Sequence, residues 1–217
     1  MDYKKVYTEN YFSGKDSFFY LLGYGNFQKT YFKNLFRSLK PYLKDIKQGK
    51  VLDVGCAYGF MLQKFPSSLE KFGVDISEHA IAEAKKRLPD ATLKVAGAED
   101  VLPFPENFFD IVICNDVIEH LENPRVALEN ILKVLKKDGI LYLNTPNFNW
   151  LRKKLFAYAD KREHHISLMS HKALLNLLTD VGFNIIDHYT YTSVTFFFFT
   201  KFRSNLGHEQ AFICKKP

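Results

Sequence analysis

Val51-Leu52-Asp53-Val54-Gly55-Cys56-Ala57-Tyr58-Gly59 is the stretch whose reading decides the fold. Its first four residues form a short apolar run with one embedded acid, the pattern of a buried strand. Glycines then allow a tight turn, and Phe60 to Phe65 reads as the helical stretch that follows. The same grammar returns downstream. Phe72-Gly73-Val74-Asp75 is a second strand, and Ser77 is a good N-cap for a helix that places Ala80, Ala84 and Leu88 on one face.

Working outward, the alternation persists. Ala91 to Val95 and Ile111-Val112-Ile113-Cys114 read as the third and fourth strands. Asn123-Pro124 opens a helix carrying Val126, Leu128, Ile131, Leu132 and Leu135, with Gly139 closing it. Ile140-Leu141-Tyr142-Leu143 is the fifth strand, and Ser170 caps a helix through Leu174, Leu177, Leu178 and Val181 to Gly182. Ile185 to Tyr191 and Ala211 to Cys214 follow as strands with no helix between them. Upstream, Phe27, Tyr31, Leu35, Leu39 and Leu43 make one helical stripe that Pro41 ends or kinks. Repeated βα units imply an α/β fold, a doubly wound, mostly parallel seven-stranded sheet with an antiparallel edge strand.

Composition fits one domain. The 217 residues are 47% hydrophobic and 25% charged, with no apolar run long enough to span a bilayer. Met1-Asp2-Tyr3-Lys4-Lys5 leads into polar and aromatic residues, not the apolar core of a signal peptide. Cys56, Cys114 and Cys214 are odd in number and far apart, so reduced thiols and a cytoplasmic location are expected. The net charge of +6 raises the question of nucleic acid. Only six of the 30 basic residues are arginines and the lysines are scattered, which is the pattern of a solvated surface.

The first turn constrains the ligand. In such a sheet ligands bind at the carboxyl ends of strands, where strand order reverses. Gly55 lets the backbone approach a ligand, Gly59 allows dense packing, and Asp75, twenty residues after Gly55, can accept hydrogen bonds from both hydroxyls of a ribose. A dinucleotide fingerprint would need a glycine where Ala57 stands, and no Gly-Lys-Ser/Thr of a P-loop follows. Asp53 would repel a diphosphate but engage a cationic amino group. The charges suit an adenosine that carries an amino-acid tail.

These residues resemble the class I S-adenosylmethionine-dependent methyltransferases, in their ubiquinone-biosynthesis O-methyltransferase-like branch, with a Rossmann-like fold. The resemblance rests on Val51 to Gly59, Gly73-Val74-Asp75-Ile76-Ser77, Ala98-Glu99-Asp100-Val101-Leu102-Pro103-Phe104, Phe109-Asp110-Ile111-Val112 with Glu119-His120, and Leu135 to Leu141. It implies S-adenosyl-L-methionine as cofactor. Asp53, Gly55 and Ala57, with Gly59 closing the turn, would hold its methionine part. Asp75 would bind the ribose, Ile76 would lie against the adenine, Ala98 and Glu99 would meet the adenine edge, and Asn115 would close the floor. The chain is then a single methyltransferase domain over 1–217: an N-terminal cap and helix (1–45), a cofactor-binding half (46–147) and a substrate-side half (148–217).

A sulfonium methyl is already electrophilic, so the protein must align a nucleophile with it and exclude water. For a hydroxyl acceptor a base helps, and His120, just past the fourth strand, stands where the methyl should lie. His165, in Glu163-His164-His165-Ile166, resembles a late family histidine near the substrate. Asp116, Glu119 and His120 could gather around a divalent cation, as in some relatives of this branch; solvated carboxylates and no metal are the expectation here. Cys114-Asn115-Asp116-Val117 is not the Asn-Pro-Pro-aromatic turn of base N-methylation, and Cys114 lies within a strand. A small-molecule, lipid or glycan acceptor is expected over nucleic acid, with methyl transfer at oxygen. An RNA or protein methyltransferase and a non-catalytic cofactor-binding protein are the competing readings.

Two aromatic stretches fall outside the core pattern: Tyr11-Phe12 through Phe18-Phe19-Tyr20, and Phe196 to Phe199. Tyr11 and Phe12 are expected to cap the substrate. Phe196 to Phe199 would overhang the cleft as a lid, or instead form a buried strand or a homodimer contact.

Overall fold

The computed structural model describes residues 6–13, 24–194 and 198–217, with backbone alone for 24–30, 193–194 and 198–199. Parts of both aromatic stretches, Phe18-Phe19-Tyr20 and Phe196-Phe197, lie outside the described residues. One sheet organises the rest. Its strands are β1 (Gly49–Val54), β2 (Leu69–Asp75), β3 (Thr92–Val95), β4 (Phe109–Asn115), β5 (Leu135–Pro146), β6 (Asn184–Val194), β7 (Phe198–Phe202) and β8 (Glu209–Lys215). They lie in the order β3-β2-β1-β4-β5-β8-β6-β7. The first five run parallel; β8, β6 and β7 are joined by antiparallel pairing. Chain order reverses between β1 and β4, and the cleft opens at the carboxyl ends of those strands.

Side-chain alternation explains why helices cover both faces. In β4, Ile111 and Ile113 point to one core while Val112 and Cys114 point to the other; in β5, Tyr142 and Leu141 divide in the same way. The first core is closed by α2 (Tyr24–Leu39) and α3 (Glu78–Arg87), through Leu35, Leu39, Ala80 and Ala84. The second is closed by α4 (Pro124–Val134) and α7 (His171–Val181), through Leu128, Ile131, Leu174 and Leu178. Three further described helices are short: α1 (Glu9–Phe12), α5 (Trp150–Leu155) and α6 (Ala157–Arg162). Ser77 and Ser170 cap α3 and α7 as expected, accepting from the Ala80 and Ala173 amides at 3.2 and 3.3 Å. α2 ends at Leu39 and passes into a 3-10 turn that contains Pro41.

Three differences from the sequence reading have physical causes. The sheet has eight strands, because the end of the phenylalanine run pairs with β6 as β7. Phe198 and Phe199 are therefore strand residues, one of the alternatives open to the run. The stretch after Gly59 is not an α-helix; only Leu62–Lys64 close a 3-10 turn, so no α-helix begins at the turn after β1. Finally, α4 stops at Val134, and Gly139 lies inside β5, where the Phe109 and Lys136 carbonyl oxygens crowd its missing Cβ. Leu135 is taken by pairing with Phe109, which ends the helix early.

Gly182 terminates α7 at φ +110, where its amide and that of Phe183 reach the Thr179 and Leu178 carbonyls at 3.0 Å. A Cβ there would meet nothing nearer than Leu132 Cδ2 at 3.7 Å, so strain is the main cost of substitution. Gly182→Ala is expected to lower the unfolding free energy by about 1–2 kcal/mol. Leu178→Ala, which opens a cavity, should cost about 2–5 kcal/mol. Denaturant midpoints at unchanged slope measure both, and a larger loss for Gly182→Ala would contradict the strain account.

Candidate active site

The site begins with backbone. Gly55 turns the chain at φ +76, and its amide and that of Cys56 both donate to the Val74 carbonyl, at 2.8 and 3.0 Å. A Cβ on Gly55 would stand 2.3 Å from Val117 Cγ2, so only glycine fits between the β1 and β4 loops. Ala57, at φ +44, is held in an unfavourable conformation by Asp75, whose Oδ2 accepts from the Ala57 amide at 2.8 Å. Asp75 Oδ1 accepts from the Ser77 amide, also at 2.8 Å. One carboxylate thus ties the first turn to the end of β2.

Below the turn lies a cavity of about 210 Å³. Asp53, Gly55, Asp75, Ile76, Ala98, Glu99 and Asn115 line it together, as do His120, Tyr11 and Phe12. Ala57 and Gly59 do not. Ala57 acts through its bond to Asp75, and Gly59 packs against the end of α3, where an added Cβ would be 2.7 Å from Leu88. Glu99 is partly committed elsewhere, its Oε1 accepting from the Asn123 amide at 2.6 Å. His165 stands one layer out, its ring centroid 4.8 Å from that of His120. Asp160 Oδ1 accepts from its Nδ1 at 2.8 Å, and the carboxyl is held below the usual carboxylate range: burial pushes it up, but His165 and Arg152 outweigh burial.

Buried polar groups test whether a nucleoside with a cationic tail fits. Burial pushes the Asp53 carboxyl well above its ordinary range, and the Asp75 charge adds to the shift. Asp53 has no hydrogen-bond partner among the described residues. Burial also raises Asp75, while the Ser77 and Ala57 amides pull it back down. Both polar atoms of the Asn115 side chain are buried without a partner. Two buried carboxylates and an unsatisfied amide suit a cation, a diol and an amide-seeking edge; they do not suit a phosphate.

The acceptor side departs from expectation. The Glu119 carboxylate is not solvated and Asp116 is half-buried in the cavity wall; residues 118–120 close a 3-10 turn that buries Glu119. Glu119 is buried: its Oε2 accepts from Thr145 Oγ1 at 2.8 Å, and its carbonyl accepts from the Ile166 and Ser167 amides, both at 2.9 Å. Asp116 accepts from the Tyr31 hydroxyl at 2.9 Å and the Asn144 amide at 3.1 Å, and burial lifts its pKa to about 6. His120 keeps its expected place but not the expected basicity: burial and the neighbouring His165 lower its pKa to about 3. Cys114 is buried with its thiol pushed well up by desolvation, which leaves it unsuited as a nucleophile.

Sequence reasoning missed part of the wall. Tyr7 lines the cavity, packs edge-on to His120 at 5.6 Å, and accepts from Ser77 Oγ at 2.6 Å through its carbonyl. Tyr11 donates to Glu163 Oε2 at 2.9 Å, and the Phe12 ring lies 4.8 Å from Tyr58. Residues 6–13 are thereby stitched across the cleft from the α3 side to the α6 side. A single tyrosine in an irregular segment carries no periodic signal, which is why Tyr7 was not legible.

Comparison with known proteins gives the family. A family described as "Methyltransferase domain" matches residues 27–188, and the chain belongs to that family. It is 33% identical over 116 residues to the tRNA U34 carboxymethyltransferase of Campylobacter jejuni, covering 51% of this chain and 40% of that one. It is 26% identical over 112 residues to the ubiquinone biosynthesis O-methyltransferase of Neisseria meningitidis, covering 48% and 47%. The chain spans less than half the length of either relative. A SAM-dependent methyltransferase of Thermotoga maritima shares the fold, with a TM-score of 0.69 at 18% identity over 88% of this chain and 91% of that one. The chain thus carries a methyltransferase domain, and the solved protein that shares its fold is a SAM-dependent methyltransferase.

Two outcomes test the assignment of the carboxylates. Asp75→Ala is expected to weaken S-adenosylhomocysteine binding roughly ten- to a hundred-fold, since a charged hydrogen bond contributes ~1.5–3 kcal/mol. Unchanged affinity by calorimetry would remove the ribose assignment. Asp53 holds its proton unusually well, and a cationic amino group favours its charged form. Binding should therefore release a proton, and affinity should rise with pH until the free carboxyl is already ionised. Calorimetry in buffers of different ionisation enthalpy should show that release, and Asp53→Asn should abolish it.

Proposed function

We propose that the protein transfers the cofactor's methyl group to an oxygen of a small-molecule, lipid or glycan acceptor. The observation that carries this reading is the cavity wall beyond the cofactor residues, where His120 and Asp116 stand among Tyr7, Tyr11 and Phe12. Bound S-adenosylmethionine supplies an electrophilic methyl. Asp53 would bind its amino group, Asp75 its ribose hydroxyls and Asn115 its floor, with Ile76, Ala98 and Glu99 around the adenine. Tyr11 and Phe12 exclude water above the acceptor. His120 is neutral at pH 7 and lines the cavity, so its ring orients the acceptor hydroxyl by accepting its hydrogen bond. His165 braces the ring. Asp116, more basic than His120, is the better destination for the proton.

The relatives' printed names point to different acceptors, tRNA U34 in one and ubiquinone biosynthesis in the other. Polymer phosphate is the poorer match here, because the acceptor wall is acidic and residues 6–13 cross its mouth. His120→Ala is expected to lower kcat at least tenfold while cofactor affinity stays within about twofold. Full turnover in that variant would remove His120 from the chemistry. A second reading has its own observation: donor atoms of Glu119, His120 and His165 lie within 4.8 Å of one another, and Glu119 Oε1 is buried without a partner. Activity lost to a chelator and restored by a divalent cation would favour a cation held there over a metal-free wall.

A further inference from the structure

The α5–α6 segment sorts its side chains by chemistry. Facing inward, Arg152 is 1% exposed and holds Asp160 at 2.5 Å, Glu209 at 3.1 Å and the His208 carbonyl at 3.0 Å. Both carboxylates of the segment, Asp160 and Glu163, are buried. Asn149 caps α5 and ties it to the Asn205 and Gly207 carbonyls at 2.9 and 2.8 Å. The outward side holds Trp150 at 72% exposure, Leu155 at 63% and Tyr158 at 70%, interleaved with exposed Lys153, Lys154 and Lys161. Lys153 and Lys154 stand over the Phe148 and Trp150 rings at 4.4 and 5.4 Å. Of eight large apolar or aromatic side chains exposed among the described residues, four lie between positions 150 and 166.

An exposed apolar cluster of this kind marks an interaction surface, and its charge selects the partner. With every acid turned inward, the outer face presents only apolar, aromatic and cationic groups. Surfaces that meet a second protein usually offer both signs of charge at the rim. Lysines here outnumber arginines, which favours a diffuse anionic plane over the base edges and fixed phosphates of a nucleic acid. Tryptophan and tyrosine with lysine is the combination that settles at a bilayer interface, rings at headgroup depth and ammonium groups among the phosphates. No described helix is long and apolar enough to cross the membrane. We propose that the outer face of α5–α6 is a docking surface that seats this protein on an anionic lipid bilayer. Through Arg152, Asp160 and His165 the seat lies one layer from His120, so docking turns the acceptor side of the cleft toward the lipid.

Trp150 is the only tryptophan in the chain and reports directly on the docked face. Phosphatidylcholine vesicles containing phosphatidylglycerol should shift its emission to the blue and carry the protein upward in flotation; vesicles of phosphatidylcholine alone should do neither, and salt should weaken the binding. Combining Lys153→Glu, Lys154→Glu and Lys161→Glu should weaken partitioning by at least about tenfold. So should Leu155→Ser with Tyr158→Ser, and both variants should bind S-adenosylhomocysteine like the parent, which shows that they fold. Emission indifferent to anionic vesicles overturns the proposal. So does a response to RNA without one to vesicles, a shift that follows protein concentration alone, or equal flotation of parent and variants.

Discussion

The cleft depends on one carboxylate. Asp75 accepts a backbone amide on each oxygen, Ala57 on one and Ser77 on the other. Those bonds hold the turn after β1 against the end of β2 and keep Ala57 at a positive φ that an alanine adopts only when its surroundings insist. A carboxylate has about four acceptor sites, and the two amides use half of them. The remainder faces the cavity, where a ribose diol can share it. The same group that shapes the empty turn is therefore available to recognise what enters it. That arrangement explains how Ala57 contributes without lining the cavity.

Electrostatics divides the cavity into two halves with different tasks. On the cofactor side, Asp53 and Asp75 are both buried and raised, a combination that costs stability until a cation arrives. A ligand with a sulfonium and an ammonium relieves that cost, and a phosphate would add to it. On the acceptor side, burial works in opposite directions on neighbouring groups. It lifts Asp116 to about 6 and drops His120 to about 3, reversing the usual order of carboxylate and imidazole basicity. Under the proposed function, the histidine of this wall would orient by hydrogen bonding and the carboxylate would hold the proton near neutral pH.

The parallel half of the fold was legible because it obeys simple periods. Ile111 to Cys114 and Ile140 to Leu143 are buried on both faces, and such runs announce central strands whatever surrounds them. Three residues of the cavity wall were legible for a related reason: Asp53, Gly55 and Asp75 sit at strand ends whose position follows from topology. What failed were features set by tertiary contacts. Phe60 to Phe65 has helical composition but closes only a 3-10 turn at Leu62–Lys64, and Leu135 is drawn out of α4 by pairing with Phe109. Asp116 and Glu119 look like surface acids until Tyr31, Asn144 and Thr145, from distant positions, fold over them. The helices between Trp150 and Arg162 left no amphipathic stripe to read, since one side of the segment holds a buried ion cluster and the other an exposed aromatic and cationic face.

A crystal structure with S-adenosylhomocysteine tests the central claim most directly. The account predicts its amino group within hydrogen-bond distance of Asp53 and its ribose hydroxyls on Asp75. It also predicts that the Asn115 amide is engaged and that the Ala57 and Ser77 amides remain bound to Asp75. A ligand seated at another edge of the sheet would contradict it. So would a ribose held by other residues while Asp75 contacts backbone alone.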